Sequence, residues 1–284
     1  MKKINDIFIP FLQALPISFR GKKRLARLLL KKTNEECEIP TRYGRMTVPN
    51  LIEPIAWDLA IDGCYEPDLC QFIEKKINPG DLCLDIGANI GVISRVMANK
   101  VGLTGRVHSF EPSPRIFKYL KKNTGDLKQT SCHEVAVSAL SGEIVFYQAP
   151  ESKFGMGTLS ALPGWRSTNV AVTTLDEYWQ QINSPTISLI KVDVEGHELE
   201  VFQGGRQTLL KNEQIFVVFE YSDWAEKNAY GKIGESPQFL AGLGFQIGSL
   251  EKNGRLRQLK DNLPKAGTWN LVACRNMDQR FPQA

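Results

Sequence analysis

Apolar and polar positions are spaced along the chain in a way that predicts strands and helices in turn. Short apolar runs typical of buried strands occupy residues 82–86, 106–111, 132–137, 187–193 and 214–221. Stretches with helical spacing of apolar residues follow at 90–100, 114–122, 175–182, 197–211 and 236–242. Because strands that alternate with helices form a mostly parallel sheet covered on both faces, the pattern predicts an α/β fold with a Rossmann-like sheet.

Two parts of the chain depart from this regular alternation. The late strands near 245–250 and 269–274 are joined by a loop containing Lys252-Asn253-Gly254, and they predict an antiparallel pair at one edge of the sheet. A hairpin is expected around Ser141-Gly142. Residues 149–170 are rich in Gly, Ser and Pro, which predicts a long loop of the kind that often forms a lid.

Upstream of the sheet the sequence predicts a smaller N-terminal part. A helix is expected at 65–78, and Thr41–Pro49 has the pattern of a short hairpin that turns at Gly44. We therefore expect a mainly helical appendage at residues 1–45 and a main domain at residues 46–284.

The appendage contains one partly apolar segment and one basic segment. Residues 7–19 are interrupted by Pro10, Gln13 and Pro16 and lack a cleavage site, so we predict neither a signal peptide nor a membrane span. Residues 18–32 combine a leucine face with several Lys and Arg residues. Two interpretations stay open: a helix packed on the main domain with a solvated basic face, or peripheral contact with an anionic membrane surface.

The composition is that of an ordinary globular protein. Of 284 residues, 42% are apolar and 23% are charged, and the net charge of +4 does not by itself indicate a nucleic-acid partner. The six cysteines form no CxxC pair and no cluster with histidine, which argues against a zinc site. Reduced cysteines are typical of a cytoplasmic protein.

The stretch CLDIGANIGVIS has the features of a ligand-binding turn. Asp85 closes the first predicted strand, Gly87 allows a tight turn with close backbone approach, and the next helix begins after Asn89. Ligands of open parallel sheets bind beyond the carboxyl ends of the strands. Glu111 ends the second strand at about the spacing of 20 residues at which a carboxylate reaches ribose hydroxyls.

Two classes of cofactor suit such a turn. The dinucleotide fingerprint G-x-G-x-x-G lacks its middle glycine here, because the order is Gly87-Ala-Asn-Ile-Gly91. Asp85 would repel a pyrophosphate, whereas it would attract the ammonium and sulfonium groups of S-adenosyl-L-methionine. Glu111 does not distinguish the two cofactors, since both contain ribose. The turn therefore favours S-adenosylmethionine over a nicotinamide dinucleotide.

Six segments, in matching order and spacing, are similar to those of the FkbM-type S-adenosylmethionine-dependent methyltransferases. They are Tyr65–Pro67, Pro79–Asp81, Leu84–Gly91, Phe110–Pro114, Val172–Asp176 and Ile190–Glu198. The resemblance covers about 60–250 and implies a seven-stranded methyltransferase sheet, mostly parallel with an antiparallel edge pair. It also implies O-methylation of a hydroxyl on a glycan, polyketide or other small metabolite.

The resemblance implies a set of cofactor contacts. They are Tyr65, Glu66, Asp85, Gly87, Ala88, Asn89, Gly91, Glu111, Pro112, Ala136, Ser138 and Asp193. Tyr65 and Glu66 suit the start of a helix nearly as well. One departure concerns the adenine, because the run His133–Val137 lacks the Asp or Asn with which many methyltransferases read that ring.

Methyl transfer to a hydroxyl also needs a nearby base that accepts the proton. Asp193 ends the fourth strand, and Glu195 and His197 follow on the turn. Glu220 closes the fifth strand at the same edge of the sheet. The alternative for these acids is helix capping, which is the role that we expect for Glu198. A lone histidine at a helix start is also often a surface residue.

We therefore predict a metal-independent methyltransferase of a small-molecule acceptor. Trp165 and Arg166 in the long loop suit a grip on that acceptor, although Trp165 could equally anchor the loop to the core. A nicotinamide-dependent oxidoreductase, a methyltransferase acting on nitrogen or on nucleic acid, and a non-catalytic scaffold are the alternatives. The basic cluster lies in the appendage and not near the predicted site, which disfavours nucleic acid.

Overall fold

The structure is a computed structural model, and it describes residues 2–16, 19–161, 163–259, 263–264 and 267–277. Residue 18 of the basic segment and residue 162 of the predicted loop lie outside the described residues. The α-helices described are α1 (Lys2–Ala14), α2 (Lys22–Leu29), α3 (Pro54–Asp62), α4 (Pro67–Lys76), α5 (Val92–Val101), α6 (Pro114–Thr124), α7 (Leu175–Gln181), α8 (Glu198–Gly204), α9 (Arg206–Lys211), α10 (Asp223–Tyr230) and α11 (Glu235–Gly242).

The strands belong to a hairpin, a main sheet and a small second sheet. They are β1 (Cys37–Thr41), β2 (Gly44–Val48), β3 (Leu82–Ile86), β4 (Arg106–Phe110), β5 (Thr130–His133), β6 (Ala136–Val137), β7 (Gly142–Gln148), β8 (Gly157–Thr158), β9 (Arg166–Thr173), β10 (Leu189–Val192), β11 (Phe216–Ser222), β12 (Gln246–Glu251), β13 (Arg255–Gln258) and β14 (Thr268–Cys274).

The main sheet has the spatial order β13-β12-β14-β11-β10-β3-β4-β5. The strands from β11 to β5 are parallel, while β14, β12 and β13 are antiparallel to their neighbours. The α/β fold with an antiparallel edge, predicted from the sequence, is confirmed. The sheet has eight strands and not seven because β13 extends the edge by pairing with β12. Its sequence, RLRQ, has little apolar signal.

The second sheet corrects three predictions. The apolar run at 132–137 is not one strand, since β5 pairs with β4 in the main sheet whereas β6 pairs with β9. The hairpin expected around Ser141-Gly142 is wrong, because β7 pairs with β9 and with β8 but not with β6. The predicted loop is shorter than 149–170, because β9 already begins at Arg166.

Three helices also differ from the prediction. The helix expected at 197–211 is divided at Gly205 into α8 and α9, and a Cβ there would lie 2.6 Å from the side chain of Leu175. Helices α3 and α10 have no counterpart among the predicted elements. Both begin at side-chain caps: Glu53 accepts from the backbone N–H of Ile55, and Ser222 accepts from that of Ala225.

The N-terminal helices are packed against the main domain. Buried apolar residues of α1, α3 and β2 form one cluster with residues that begin α5 and α6, for example Leu12, Leu59, Met46, Val92 and Ile116. The expected domain boundary between residues 45 and 46 falls inside β2. Among the described residues, no helix is both long and apolar enough to cross a bilayer.

Candidate active site

A cavity of about 740 Å³ opens at the carboxyl ends of β3, β4 and β10. This is the edge at which parallel sheets bind ligands. One part of the wall is apolar, with Phe110, Ile116, Val135 and Phe146. The polar side chains in the wall are Asn89, Glu111, Ser113, Thr158, Asp193, Glu195 and His197.

The turn after β3 is held against the neighbouring strands by its own backbone. The N–H groups of Gly87 and Ala88 both donate to the carbonyl of Phe110, at 3.0 and 2.8 Å. Gly87 has a φ of 79°, and a Cβ at this position would lie 1.8 Å from the carbonyl oxygen of Asp193. Only glycine fits, because the left-handed backbone and the close approach to β10 both exclude a side chain.

Asn89 connects this turn to the loop above it. Its φ is 51°, a conformation that Asn tolerates better than most residues. Its Nδ2 donates to the carbonyl of Gly155 at 2.8 Å. A Cβ on Gly155 would lie 2.6 Å from Oε1 of Glu53, so the α3 N-cap also reaches this wall of the cavity. The sequence patterns did not indicate Glu53, since α3 itself was not predicted.

Asp85 lies beneath the turn and not in the cavity wall. Its side chain is fully buried, and Oδ2 accepts a hydrogen bond from Ser94 Oγ at 2.5 Å. Oδ1 has no hydrogen-bond partner in the described structure, and the nearest cation is the Nζ of Lys191 at 3.9 Å. Burial raises the pKa of the Asp85 carboxyl. Asp85 therefore acts on the cavity through its surroundings rather than from its surface.

Lys191 is the central residue that the sequence patterns did not single out. Its Nζ lies 2.9 Å from Oδ2 of Asp193 and 3.3 Å from the carbonyl oxygen of Gly87. Burial by itself would lower its pKa, but the carboxylates of Asp193, Asp85 and Glu66 outweigh burial and raise it. A lysine inside the buried strand β10 was the available signal, because a buried lysine needs a partner.

Glu111 provides the other carboxylate of the cofactor prediction. It is 7% exposed and lines the cavity. Its two oxygens accept from the backbone N–H groups of Ser113 and Asn89, at 2.9 and 3.0 Å. Each oxygen keeps a lone pair for a further donor. Burial raises the pKa of Glu111 to about 7. Pro112, the next residue, also lines the cavity.

The predicted adenine contacts are only partly at the cavity. Ala136 lines it, together with its neighbours Val135 and Val137. Ser138 does not: its N–H donates to the carbonyl of Thr173 at 3.0 Å, and its own carbonyl would lie 2.1 Å from a Cβ on Gly204. The backbone near Ser138 is therefore occupied by β9 and α8.

The segment after β10 brings Asp193, Glu195 and His197 to the cavity wall. Glu198 turns back and accepts from the N–H groups of Val194 and Gly196, at 3.0 and 3.3 Å. It thus caps the turn, as expected from the sequence. The turn carries strain, because Glu195 has a φ of 56°.

The candidate bases differ in protonation. Burial, with the charges of Asp193 and Glu198, raises the pKa of Glu195 to about 8. Burial lowers the pKa of His197. His197 Nε2 lies 3.4 Å from Ser160 Oγ, and its Nδ1 is buried without a hydrogen-bond partner in the described structure. At neutral pH His197 is therefore an unprotonated imidazole with one nitrogen that can accept a proton.

Tyr65, Glu66 and Glu220 form a second acidic group beside the cavity. Glu66 has a φ of 48°, and its Oε1 accepts from Nδ2 of Asn270 at 2.8 Å. Asn270 is directly opposite Glu220 in the β11–β14 pair. Burial and the charge of Asp193 raise the pKa of Glu220 to about 10, and burial with the charge of Glu66 raises that of Tyr65. Asn270 was not identified from the sequence.

The balance of charge at this edge is strongly acidic. Asp193 interacts electrostatically with five other carboxyl groups, namely Glu66, Asp85, Glu195, Glu198 and Glu220. In the described structure, Lys191 is the cation paired with this group. Such a site favours a ligand that brings positive charge and disfavours a polyphosphate.

The comparison with known proteins agrees with this geometry. The family model described as the methyltransferase FkbM domain matches residues 85–247. Over 168 residues, the chain is 30% identical to the hexuronic acid methyltransferase AglP of Haloferax volcanii. That match covers 59% of this chain and 66% of the archaeal protein, slightly less than two thirds of its length.

A second relative and two solved structures are also similar. The 2-O-methyltransferase NoeI of Sinorhizobium fredii is 29% identical over 170 residues, which cover 54% of this chain and 68% of that protein. An FkbM methyltransferase from Methylobacillus flagellatus has a TM-score of 0.43 at 16% identity, and the match covers 68% of this chain and 43% of that one. Aeropyrum pernix fibrillarin, solved with S-adenosyl-L-methionine bound, has a TM-score of 0.45 at 11% identity, over 86% and 97% of the two chains.

The sequence motifs predicted a resemblance to the FkbM-type methyltransferases, and this prediction is confirmed. The predicted class, that of methyltransferases that use S-adenosylmethionine, is confirmed with it. The family model extends from Asp85, beneath the glycine turn, to Ile247 in β12. Because this model covers more than half of the chain, the protein belongs to the FkbM methyltransferase family.

Proposed function

We propose that this protein transfers a methyl group from S-adenosylmethionine to a hydroxyl group of a sugar-like small molecule. The observation that carries the proposal is the excess of carboxyl groups around a single buried lysine at the cavity edge. S-adenosylmethionine carries an ammonium group and a sulfonium, so its binding would compensate that excess. When bound, it supplies an electrophilic methyl group.

The residues of the cavity are suited to the separate parts of this cofactor. Glu111, with free lone pairs on both oxygens, suits the two ribose hydroxyls. Asp193 lines the cavity next to Lys191 and suits the cationic methionine half. The apolar wall around Val135 and Ala136 suits the flat adenine ring.

His197 is the base that the geometry favours. It lines the cavity, and its lowered pKa keeps the imidazole unprotonated at neutral pH. Glu195 is a second candidate, since a nearby positive charge would lower its raised pKa and ionise it. The protein's part in the reaction is to position the acceptor hydroxyl and to take its proton.

The names of the relatives support a sugar-like acceptor. One is a hexuronic acid methyltransferase and the other a 2-O-methyltransferase. The cavity also argues against the nicotinamide alternative, because the missing middle glycine and the excess of acids both disfavour a pyrophosphate.

Calorimetry and a turnover assay together test this proposal. S-adenosylhomocysteine should bind the wild-type protein, and NAD should not. With a panel of methyl glycosides as acceptors, we expect His197→Ala and Asp193→Ala each to lower turnover by about a hundredfold or more while the protein still folds. Binding of NAD instead of S-adenosylhomocysteine would overturn the cofactor, and wild-type rates in both variants would remove this segment from catalysis.

A second proposal concerns the N-terminal helices. Asn5 of α1 exchanges hydrogen bonds with the backbone of Lys31, and Lys22 Nζ donates to the carbonyl of Leu15, so α1 and α2 are antiparallel. Ile7 and Leu28 lie at the same level of this pair and are 68% and 78% exposed. The exposed basic residues of the same segment are Arg20, Lys23, Arg24, Arg27, Lys31 and Lys32. Exposed apolar side chains among cations support peripheral contact with an anionic membrane.

A further inference from the structure

A second cavity continues from the first one on the side of Glu195. The space within it, counted together with the part that is open to solvent, is about 400 Å³. Met156, Gly157, Thr158 and Glu195 line both cavities, so the two spaces share a wall. A molecule in the second cavity would therefore reach Glu195 without entering the space between the glycine turn and Glu111.

Two tryptophans line this second cavity. Trp165 precedes β9, and Trp224 lies in the first turn of α10. Trp224 is 61% exposed. An indole left in water at the entrance to a cavity offers a large flat apolar face to a ligand. The C–H faces of a pyranose ring match such a surface, while the hydroxyls of the ring point outward to polar partners.

The backbone fixes Trp224 in place next to the turn that carries Glu195. Ser222 accepts from the N–H of Ala225 and so starts α10 directly before the tryptophan. A Cβ on Gly196 would lie 3.0 Å from the Cβ of Ala225, so this turn and the helix pack closely. Helix α10 therefore holds one aromatic wall at a fixed distance from the acidic turn.

The remaining lining combines Met156, Gly157 and Ala225 with four polar residues, and none of these residues is a cation. Thr158, Ser160, Asn228 and Glu195 offer hydroxyl, amide and carboxyl groups. Among the described residues, no Lys or Arg lines either cavity. An acceptor with a carboxylate would find no counter-ion here, and it would meet the carboxylate of Asp193 and that of Glu195 once the positive charge of the cofactor has ionised it. An uncharged ring with several hydroxyls would not meet that repulsion.

We infer that the cleft between Trp165 and Trp224 holds the acceptor as a neutral pyranose ring and presents one of its hydroxyls at Glu195. This inference rests on the proposed methyltransferase function and adds the location and the charge of the acceptor. By this inference the acceptor of this protein is uncharged, in contrast to that of an enzyme that methylates a uronic acid.

Paired acceptors test the inference. Methyl α-L-fucopyranoside and methyl β-D-glucopyranoside are the neutral probes, and methyl β-D-glucuronide is the anionic one. We expect methyl transfer, read as product mass, and quenching of tryptophan fluorescence in the presence of S-adenosylhomocysteine with a neutral probe but not with the glucuronide. A preference for the glucuronide, or no sugar bound by the protein with S-adenosylhomocysteine, would overturn the inference.

Two variants and a control locate the binding. Trp224→Ala and Trp165→Ala should each raise the KM for the neutral glycoside by about tenfold, with the affinity for S-adenosylhomocysteine kept within about twofold. Trp224→Tyr, which keeps an aromatic face, should restore most of the loss. The matched control is Leu103→Ala. Leu103 is an exposed apolar residue just before β4, at the end of the sheet opposite to the carboxyl ends of the parallel strands. An unchanged KM in both tryptophan variants would place the acceptor elsewhere and leave the proposed function intact, whereas loss of S-adenosylhomocysteine binding in the wild-type protein would overturn that function.

Discussion

The Nζ atom of Lys191 lies 3.9 Å from Oδ1 of Asp85, and both side chains are buried. The same atom lies 2.9 Å from Oδ2 of Asp193, which lines the cavity. Lys191 thus connects an acid beneath the glycine turn to an acid at the ligand surface. Asp85 therefore acts on the cavity indirectly, by offsetting the charge of the lysine that pairs with Asp193.

The first prediction concerns this buried pair. We expect Lys191→Met to destabilise the protein by about 3 kcal/mol, because it leaves the Asp85 carboxylate buried without a cation. Once the lysine is gone, Asp85 can take up a proton at low pH and so become neutral. The loss of unfolding free energy should therefore be larger at alkaline pH than near pH 5. Urea unfolding at both pH values measures it. Lys23→Met, which removes an exposed pair with Asp58, is the control and should cost about 1 kcal/mol or less.

The second prediction concerns the ribose site. Glu111→Ala removes a carboxylate with two free lone pairs at the cavity, and we expect it to weaken S-adenosylhomocysteine by about tenfold or more in calorimetry. Asp85→Ala should also weaken binding by about tenfold, because the charge of Lys191 would no longer be offset from beneath the turn and would oppose a cationic ligand. Glu38→Ala on β1, outside the cavity, serves as the control. Unchanged affinity in both variants would contradict the assignment of these acids.

The third prediction concerns the backbone of the turn. Gly87→Ala would place a Cβ 1.8 Å from the Asp193 carbonyl, so β3 and β10 would have to move apart. We expect loss of S-adenosylhomocysteine binding and a clearly lower melting temperature. The matched control is Gly244→Ala, which has a φ of 85° and open space around its Cβ. It should cost only the left-handed backbone term of about 1–2 kcal/mol. Equal losses in the two variants would contradict the close approach.

The fourth prediction follows from the acids with raised pKa. Burial raises the pKa of Glu195 from 4.5 to about 8, so the folded protein holds a proton there that the unfolded chain has released. The ligand-free protein should therefore lose stability as the pH rises from about 4.5 to 8, and Glu220, with a pKa of about 10, should extend the loss. Urea unfolding across this range should show a smaller loss in Glu195→Gln. A stability that rises with pH over the same range would disagree.

The fifth prediction concerns the N-terminal helices. The full-length protein should sediment with phosphatidylcholine vesicles that contain phosphatidylglycerol and not with vesicles of phosphatidylcholine alone, and added salt should weaken the binding. The double variant Ile7→Ser/Leu28→Ser should lose most of it, because the exposed apolar side chains are removed. Leu140→Ser, 80% exposed elsewhere, is the control. If the double variant sediments like the wild-type protein, α1 and α2 are a structural pair with a solvated face.

Much of the main sheet could be predicted because its signals are local. The apolar runs at 82–86 and 106–111 became β3 and β4 within one residue. The division of 132–137 could not be predicted in the same way. All of that run suits a strand, and only the presence of β4 on one side and β9 on the other decides where the chain changes sheets.

The candidate site also has parts that local sequence signals predict and parts that depend on packing. The positions at the strand tips, Asp85, Glu111 and Asp193, follow from the order of strands alone, because parallel strands end at one edge. The role of Lys191 was missed because its pairing with Asp85, which lies on another strand, depends on how β3 and β10 pack side by side. Glu53 and Asn270 reach the site from elements far away in the chain.

The sequence by itself determined the strand-and-helix order, the glycine turn and the acidic character of the sheet edge, because each depends on residues close together in the chain. The tertiary structure decided which acids are covered and which line the cavity, since burial depends on the neighbours that packing supplies. It buried Asp85 beside Lys191, turned Glu198 into a cap and placed two tryptophans next to Glu195. The acids, the residues that bury them and the two tryptophans lie together only because distant segments of the chain fold onto one edge of the sheet.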